Sequence, residues 1–138
     1  MVDLAITASQ VLAGTTGADF YYGVAAETIT AGQALYLNAS NLLALADANA
    51  SVLTAAVKGI ALHAALANQP LKIQTAGDLT LGAAAAPVVG TVYIASGTAG
   101  GIAPVADKVT GWFCSILGVG KTGNILNMDV FVSGSVTP

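Results

Sequence analysis

Short runs of alternating apolar residues, separated by glycine-containing turns, constrain the fold of this chain more than any other feature. Alternation with a period of two is typical of strands that bury one face, and it occurs at Leu71 and Ile73 and at Met128, Val130 and Val132. The 138 residues include 16 glycines and 13 threonines, which favour turns and strands over long helices. We therefore predict an all-β fold, a small antiparallel β-barrel or sandwich with an extended N-terminal arm and at most one short helix.

Clusters of Asn, Gly, Ser and Asp between these runs predict the turns. The predicted turns are 38–41, 76–78, 97–101 and 118–123. One or two helical turns are predicted over 49–58, with Asn49 or Ser51 as the N-cap.

The chain has the length of one domain, which we divide into an arm, residues 1–18, and a single β-domain, residues 19–138. Within that domain, the stretches 31–75 and 88–130 follow a similar order of short strands and turns. The aligned pairs include Tyr36 with Tyr93 and Ile60 with Ile116. We predict that the two stretches arose by internal duplication.

The arm begins with apolar residues at alternate positions, Val2, Leu4 and Ile6, and leads into Gly-Thr-Thr-Gly at 14–17. A strand ahead of a flexible joint is typical of an arm that pairs with the sheet edge of another chain. An ordinary first strand of the domain would show the same pattern. Both interpretations stay open on the sequence alone.

Three aromatic residues, Phe20, Tyr21 and Tyr22, follow the arm without interruption. Neighbouring strand residues point to opposite faces, so at least one of these rings points away from the core. An outward ring either lies at an interface or covers the end of the barrel. Together with Val2, Leu4 and Ile6, these rings are our candidates for contacts with a partner or a second copy.

The low content of charged residues limits what the protein can bind. Only 8% of the residues are charged, there are four lysines and no arginine, and the formal net charge is -3. Nucleic-acid binding needs a basic surface, so it is not expected. The uncharged stretch 79–106 contains two prolines and several glycines, so no membrane span is predicted there. A protein with so few charges covers much of its surface with small neutral side chains or with a partner, and we expect the partner.

Catalytic and metal-binding motifs are weak. Residues 118–123 resemble a phosphate-binding loop, but Ser115 stands where that motif needs glycine, and a strand-like run follows. His63 and Cys114 are the only histidine and cysteine, which leaves too few ligands for zinc. His63 is interpreted as a surface or structural histidine and Cys114 as a small buried apolar residue in a strand. We predict no enzyme, no metal and no cofactor.

Three segments of the chain share a pattern of short strands and polar or glycine-rich turns: ITAGQALYLNAS, the succession AAVKGIAL and PLKIQTAGDLTLGAAA, and VVGTVYIASGTAGGIAPVAD. Together they resemble the capsid decoration, or cement, proteins of tailed phages. The resemblance covers residues 27–107, fits 108–133 more loosely, and does not include residues 1–26.

The resemblance implies a compact β-fold, made in the host cytoplasm, that binds the outer surface of an assembled icosahedral capsid. Such proteins form symmetric oligomers, here a homotrimer, that bridge neighbouring major capsid subunits. The expected partners are thus the major capsid protein and further copies of the chain. The alternative is a receptor- or carbohydrate-binding β-module, whose groove would have to use Trp112, Tyr21 or Tyr22.

Overall fold

A computed structural model of the chain describes residues 3–14 and 17–136, with side chains up to residue 133. Nine strands form one antiparallel sheet that curls into a half-barrel, which confirms the predicted all-β fold. The strands are β1 (Asp19–Val24), β2 (Ala34–Leu37), β3 (Leu43–Leu45), β4 (Val57–Ala61), β5 (Pro70–Thr80), β6 (Val92–Ala95), β7 (Ile102–Pro104), β8 (Phe113–Lys121) and β9 (Ile125–Val136).

Helical structure in the described part of the chain is limited to two short 3-10 turns, Ala8–Gln10 and Val105–Asp107. The helical turns predicted over 49–58 are not present as a helix: these residues form a hydrogen-bonded turn, in which the Ala55 N–H donates to the Ser51 carbonyl at 3.1 Å. Within the ranges 3–14 and 17–136, no helix has the length and apolar character needed to cross a membrane.

The strand order is the same in the two halves of the sheet. Read outward from the central β5–β9 pair, one half is β5-β4-β2-β3 and the other is β9-β8-β6-β7. Leu35 of β2 lies opposite Gly59, and Tyr93 of β6 lies opposite Gly118, with a bulge after each. The strand register therefore places Leu35 in the position that corresponds to Tyr93. The sequence alignment pairs Tyr36 with Tyr93 and so differs by one residue. The duplication stays a prediction that this shared strand order supports.

Strand β5 pairs along both of its edges. Gln74 lies opposite Phe20 on one edge and opposite Ile60 on the other. Ala76 likewise pairs with both β1 and β9. Because a strand residue has two edges, β1 lies on the opposite side of β5 from β4 and β9. Strand β1 is therefore an outer strand of the sheet.

The turn predicted at 76–78 is wrong, because β5 continues through these residues as one strand of 11 residues. Gly77 has a φ of +88° there, and the register of β1 against β5 shifts between Asp19 and Phe20. The Gln74 amide donates to the carbonyls of Ala76 at 3.1 Å and Asp78 at 2.9 Å. The glycine thus permits an irregular strand, and not a chain reversal.

The turn between β8 and β9 is shorter than the predicted 118–123. Strand β8 continues to Lys121, which pairs with Ile125. A Cβ on Gly118 would collide with the Asn127 carbonyl of β9, so glycine at that position lets the two strands approach closely. The absence of a helix after this turn agrees with a hairpin and excludes the phosphate-binding loop.

Buried apolar side chains form two clusters. The larger core includes Ile60, Leu79, Tyr93, Ile94, Leu117, Leu126 and Met128. The smaller core includes Ile29, Leu35, Leu43, Leu71 and Ile73.

Residues 3–14, which we call the strap, lie against the chain's own larger core. Leu4 and Ile6 pack on it half-buried, and Val11 belongs to it. The Leu4 N–H donates to the Ile102 carbonyl of β7 at 2.7 Å, while Leu12 forms an isolated bridge with Thr80 of β5. The strap therefore runs from β7 to β5, and Val2 lies outside the described residues.

Candidate interaction surface

The three aromatic residues of β1 divide between the two faces of the sheet. Tyr22 is 71% exposed, and Phe20, two positions away, lies half-buried on the same face. Tyr21 points to the other face and packs against the smaller core. The prediction that at least one ring points away from the core is confirmed for Tyr22.

Two lysines place their ammonium groups against these rings. The Lys72 Nζ lies 4.2 Å from the Phe20 ring centroid and 5.5 Å from that of Tyr22. The Lys58 Nζ lies 4.8 Å from the Tyr21 centroid. These distances are within the range of cation–π attraction. We call Phe20, Tyr21, Tyr22, Lys58 and Lys72 together the β1 cluster.

The lysines of the β1 cluster have no carboxylate partner in the described part of the chain. The ion pair found there joins Lys121 to Asp78, with 2.8 Å between Nζ and Oδ2. A cation–π contact with an aromatic ring stabilises an ammonium group less than an ion pair with a carboxylate does. Lys58 and Lys72 can therefore each still bind an anionic group of a partner.

A second exposed apolar area lies on the outer face of β8 and β9. Phe131 is 61% exposed and Val119 38% exposed, and with Ile116 they line a shallow groove beside Asn127 and Asp129. Phe131 is not among the candidate contact residues predicted from the sequence. Its alternation with Asn127 and Asp129 along one strand places it on a solvent-facing side.

The structure packs three other candidates among the described residues on the larger core, Leu4 and Ile6 half-buried and Trp112 buried. Because Leu4 and Ile6 already pack on the larger core of their own chain, an arm that buried them against another chain would first have to leave it. Trp112 is 6% exposed and belongs to the larger core. Of the three aromatic residues available for a carbohydrate groove, Tyr22 is therefore the one that is mainly exposed.

His63 is exposed but has hydrogen bonds at both ring nitrogens. Its Nδ1 lies 2.9 Å from the Ala64 carbonyl, and its Nε2 accepts the Lys72 N–H at 3.1 Å. With Nε2 as the acceptor of the Lys72 N–H, Nδ1 is the ring nitrogen that donates to the Ala64 carbonyl. This geometry agrees with the predicted structural role of His63.

We expect His63→Ala to lower the free energy of unfolding by no more than about 1 kcal/mol, since water can replace the lost acceptor at an exposed site. Urea unfolding of the two proteins would measure the difference. A loss several times larger would show that His63 supports more of the fold than these two bonds.

The described residues bring no metal or catalytic cluster together. Across 3–14 and 17–136, no group of three His, Cys, Asp or Glu side chains is placed to hold a metal ion. Cys114 is half-buried in β8 and packs against the larger core. The surface features described above are the rings and lysines of the β1 cluster and the apolar groove of β8 and β9.

Comparison of the chain with protein-family models, with curated proteins and with solved structures gave no match, so the interpretation of these surfaces depends on the residues and contacts described above.

Proposed function

We propose that the protein is a structural virion protein that binds the outer surface of an icosahedral phage capsid. As a homotrimer it would stabilise the shell by bridging neighbouring major capsid subunits. This role requires a stable domain and a complementary surface, and it requires no catalytic group. Symmetric repetition of one modest contact converts weak binding by each subunit into tight attachment of the oligomer.

Sequence and structure support the proposal in different ways. Residues 27–107 resemble the decoration proteins of tailed phages. The curled antiparallel sheet fits the compact β-fold that the resemblance implies. The low charge content, 8% of the residues, fits a surface that a partner covers.

The exposed ring of Tyr22 is the observation that carries the proposal. An aromatic side chain that is 71% exposed and next to a lysine has a large apolar area and a cation available for contact. Aromatic residues are enriched at the centres of protein interfaces, where they contribute most of the binding energy. We therefore place the capsid contact on the face of β1 that carries Phe20 and Tyr22, and not on the strap.

The proposal predicts that Tyr22→Ser weakens capsid binding by about tenfold or more, because it removes a central aromatic contact. Purified full-length protein would be titrated onto capsids that lack decoration protein, from the phage that encodes the chain. Co-sedimentation gives occupancy against concentration, and light scattering gives the mass of the free protein, 13.5 kDa for one subunit.

Val109→Ser is the matched control, because Val109 is 46% exposed on a turn outside the β1 cluster. We expect it to bind like the wild type. Failure of the wild-type protein to bind these capsids at any concentration would overturn the proposed function. Specific binding to a glycan array in its place would favour the carbohydrate-binding alternative.

A further inference from the structure

We infer that the open edge of β1 binds an extended, acidic segment of a partner polypeptide by strand addition. The segment would lie alongside β1 and place carboxylates on the face that carries Lys72. The inference rests on the proposed function in so far as the partner is taken to be a capsid subunit.

One edge of β1 has no partner strand in the described part of the chain. Within the described ranges, β5 is the strand that pairs with Asp19–Val24, and it occupies one edge. Just beyond β1, Ala25 forms an isolated bridge with Leu43, so the open stretch is β1 itself. An edge strand presents unpaired N–H and C=O groups at alternate residues, and these are the groups that an added strand uses.

Strand β1 has few of the features that prevent an edge strand from pairing with another chain. Natural proteins protect edge strands with lysine or proline in the strand, with bulges, or with a covering loop. The sequence of β1, Asp-Phe-Tyr-Tyr-Gly-Val, has no lysine and no proline. Its register irregularity lies at the first step, between Asp19 and Phe20, which leaves the five residues from Phe20 to Val24 regular.

The positive charge of Lys72 beside β1 complements an acidic partner. The chain as a whole is acidic, yet two of its four lysines belong to the β1 cluster. Lys72 is a β5 residue, but its Nζ lies over the rings of Phe20 and Tyr22, which brings the charge above β1. Side chains of an added strand alternate between faces, so acidic residues at every second position would share the face that carries Lys72, and the nearest of them would approach its ammonium group.

A second copy of the chain fits this edge less well. Pairing of β1 with β1 would bring the two Lys72 side chains to the same interface, and each strand offers one carboxylate, Asp19, at its first position. An acidic segment from a different polypeptide supplies the missing negative charge without this repulsion.

The test uses the full-length protein and three blocked octapeptides. The first alternates Val and Glu, the second has Gln in place of Glu, and the third is the Val/Glu peptide N-methylated at alternate residues. Fluorescence polarisation of labelled peptides measures affinity. We expect the Gln peptide to bind about tenfold more weakly and N-methylation to abolish binding, because these changes remove the charge and the ladder hydrogen bonds respectively.

Lys72→Gln should weaken binding of the Val/Glu peptide about threefold to tenfold, and Lys108→Gln, at an exposed lysine outside the cluster, should leave it unchanged. Urea unfolding would verify that both variants are as stable as the wild type. Equal binding of all three peptides, equal effects of both substitutions, or a dimer of the chain that the peptide does not displace would each overturn the inference.

The peptide and capsid experiments fail independently. If the protein binds capsids but does not bind the Val/Glu peptide, the acidic-segment inference is overturned and the proposed function is supported. If it binds the peptide but does not bind capsids, the open edge of β1 is supported and the proposed function is overturned.

Discussion

A chain that begins at Gly14 is expected to lose about 5 kcal/mol of unfolding free energy, from the burial of three aliphatic side chains and the hydrogen bonds of the strap. Val11 is 7% exposed within the larger core, and Leu4 and Ile6 pack against it. The Leu4 N–H also loses its bond to Ile102. Domains of this size are stable by about 5–15 kcal/mol, so the truncation would remove between about a third and all of the free energy of unfolding.

Urea unfolding followed by the fluorescence of the buried Trp112 would measure this loss. Ile6→Ala and Leu12→Ala form a matched pair, because both lie in the strap but Leu12 is 60% exposed. We expect Ile6→Ala to cost about 1–3 kcal/mol and Leu12→Ala less than about 0.5 kcal/mol. An unchanged unfolding curve for the truncated chain would show that the strap is dispensable for folding.

The expected result differs from the one that the sequence suggests. The alternation of Val2, Leu4 and Ile6 predicts a strand with one apolar face, and an arm of this kind could be deleted, residues 1–15, to leave a folded oligomer that no longer binds capsids. Alternation does not specify which apolar surface receives that face. The larger core of the same chain receives Leu4 and Ile6, a long-range contact that no local pattern encodes.

The all-β fold was predictable because strand alternation and glycine-rich turns are local signals. The turn at 76–78 was not, because glycine with positive φ serves both a chain reversal and an irregular strand. The difference depends on Gln74, whose amide bonds the carbonyls around Gly77, and on Gly14, whose N–H donates to the same side chain at 3.1 Å. Gln74 and Gly14 are distant in sequence.

The candidate surface was predictable in part, because strand alternation is a local signal. Alternation alone separates the faces of Tyr21 and Tyr22. The pairing of Tyr22 with Lys72 depends on which strand lies next to β1, and Lys58 reaches Tyr21 from a third strand, β4. Strand neighbours are a property of the whole sheet, so the lysines of the β1 cluster could not be assigned from sequence.

Gln74→Met is expected to lower the free energy of unfolding by about 3 kcal/mol, about 1 kcal/mol for each of three hydrogen bonds lost. The Gln74 side chain is fully buried, accepts the Gly14 N–H, and donates to the carbonyls of Ala76 and Asp78. Methionine is similar in size, so the substitution removes the polar contacts without leaving a large cavity.

Gln69→Met is the control, because Gln69 is exposed and its side chain accepts the Leu66 N–H at 2.8 Å, where water can replace it. Urea unfolding should show a loss below about 1 kcal/mol for this variant. Equal stability of the Gln74→Met protein and the wild type would mean that apolar packing and the backbone bonds between Leu12 and Thr80 hold the strap on β5 without the Gln74 amide. A loss confined to Gln74→Met would show that this buried amide adds to those contacts in joining the strap to β5.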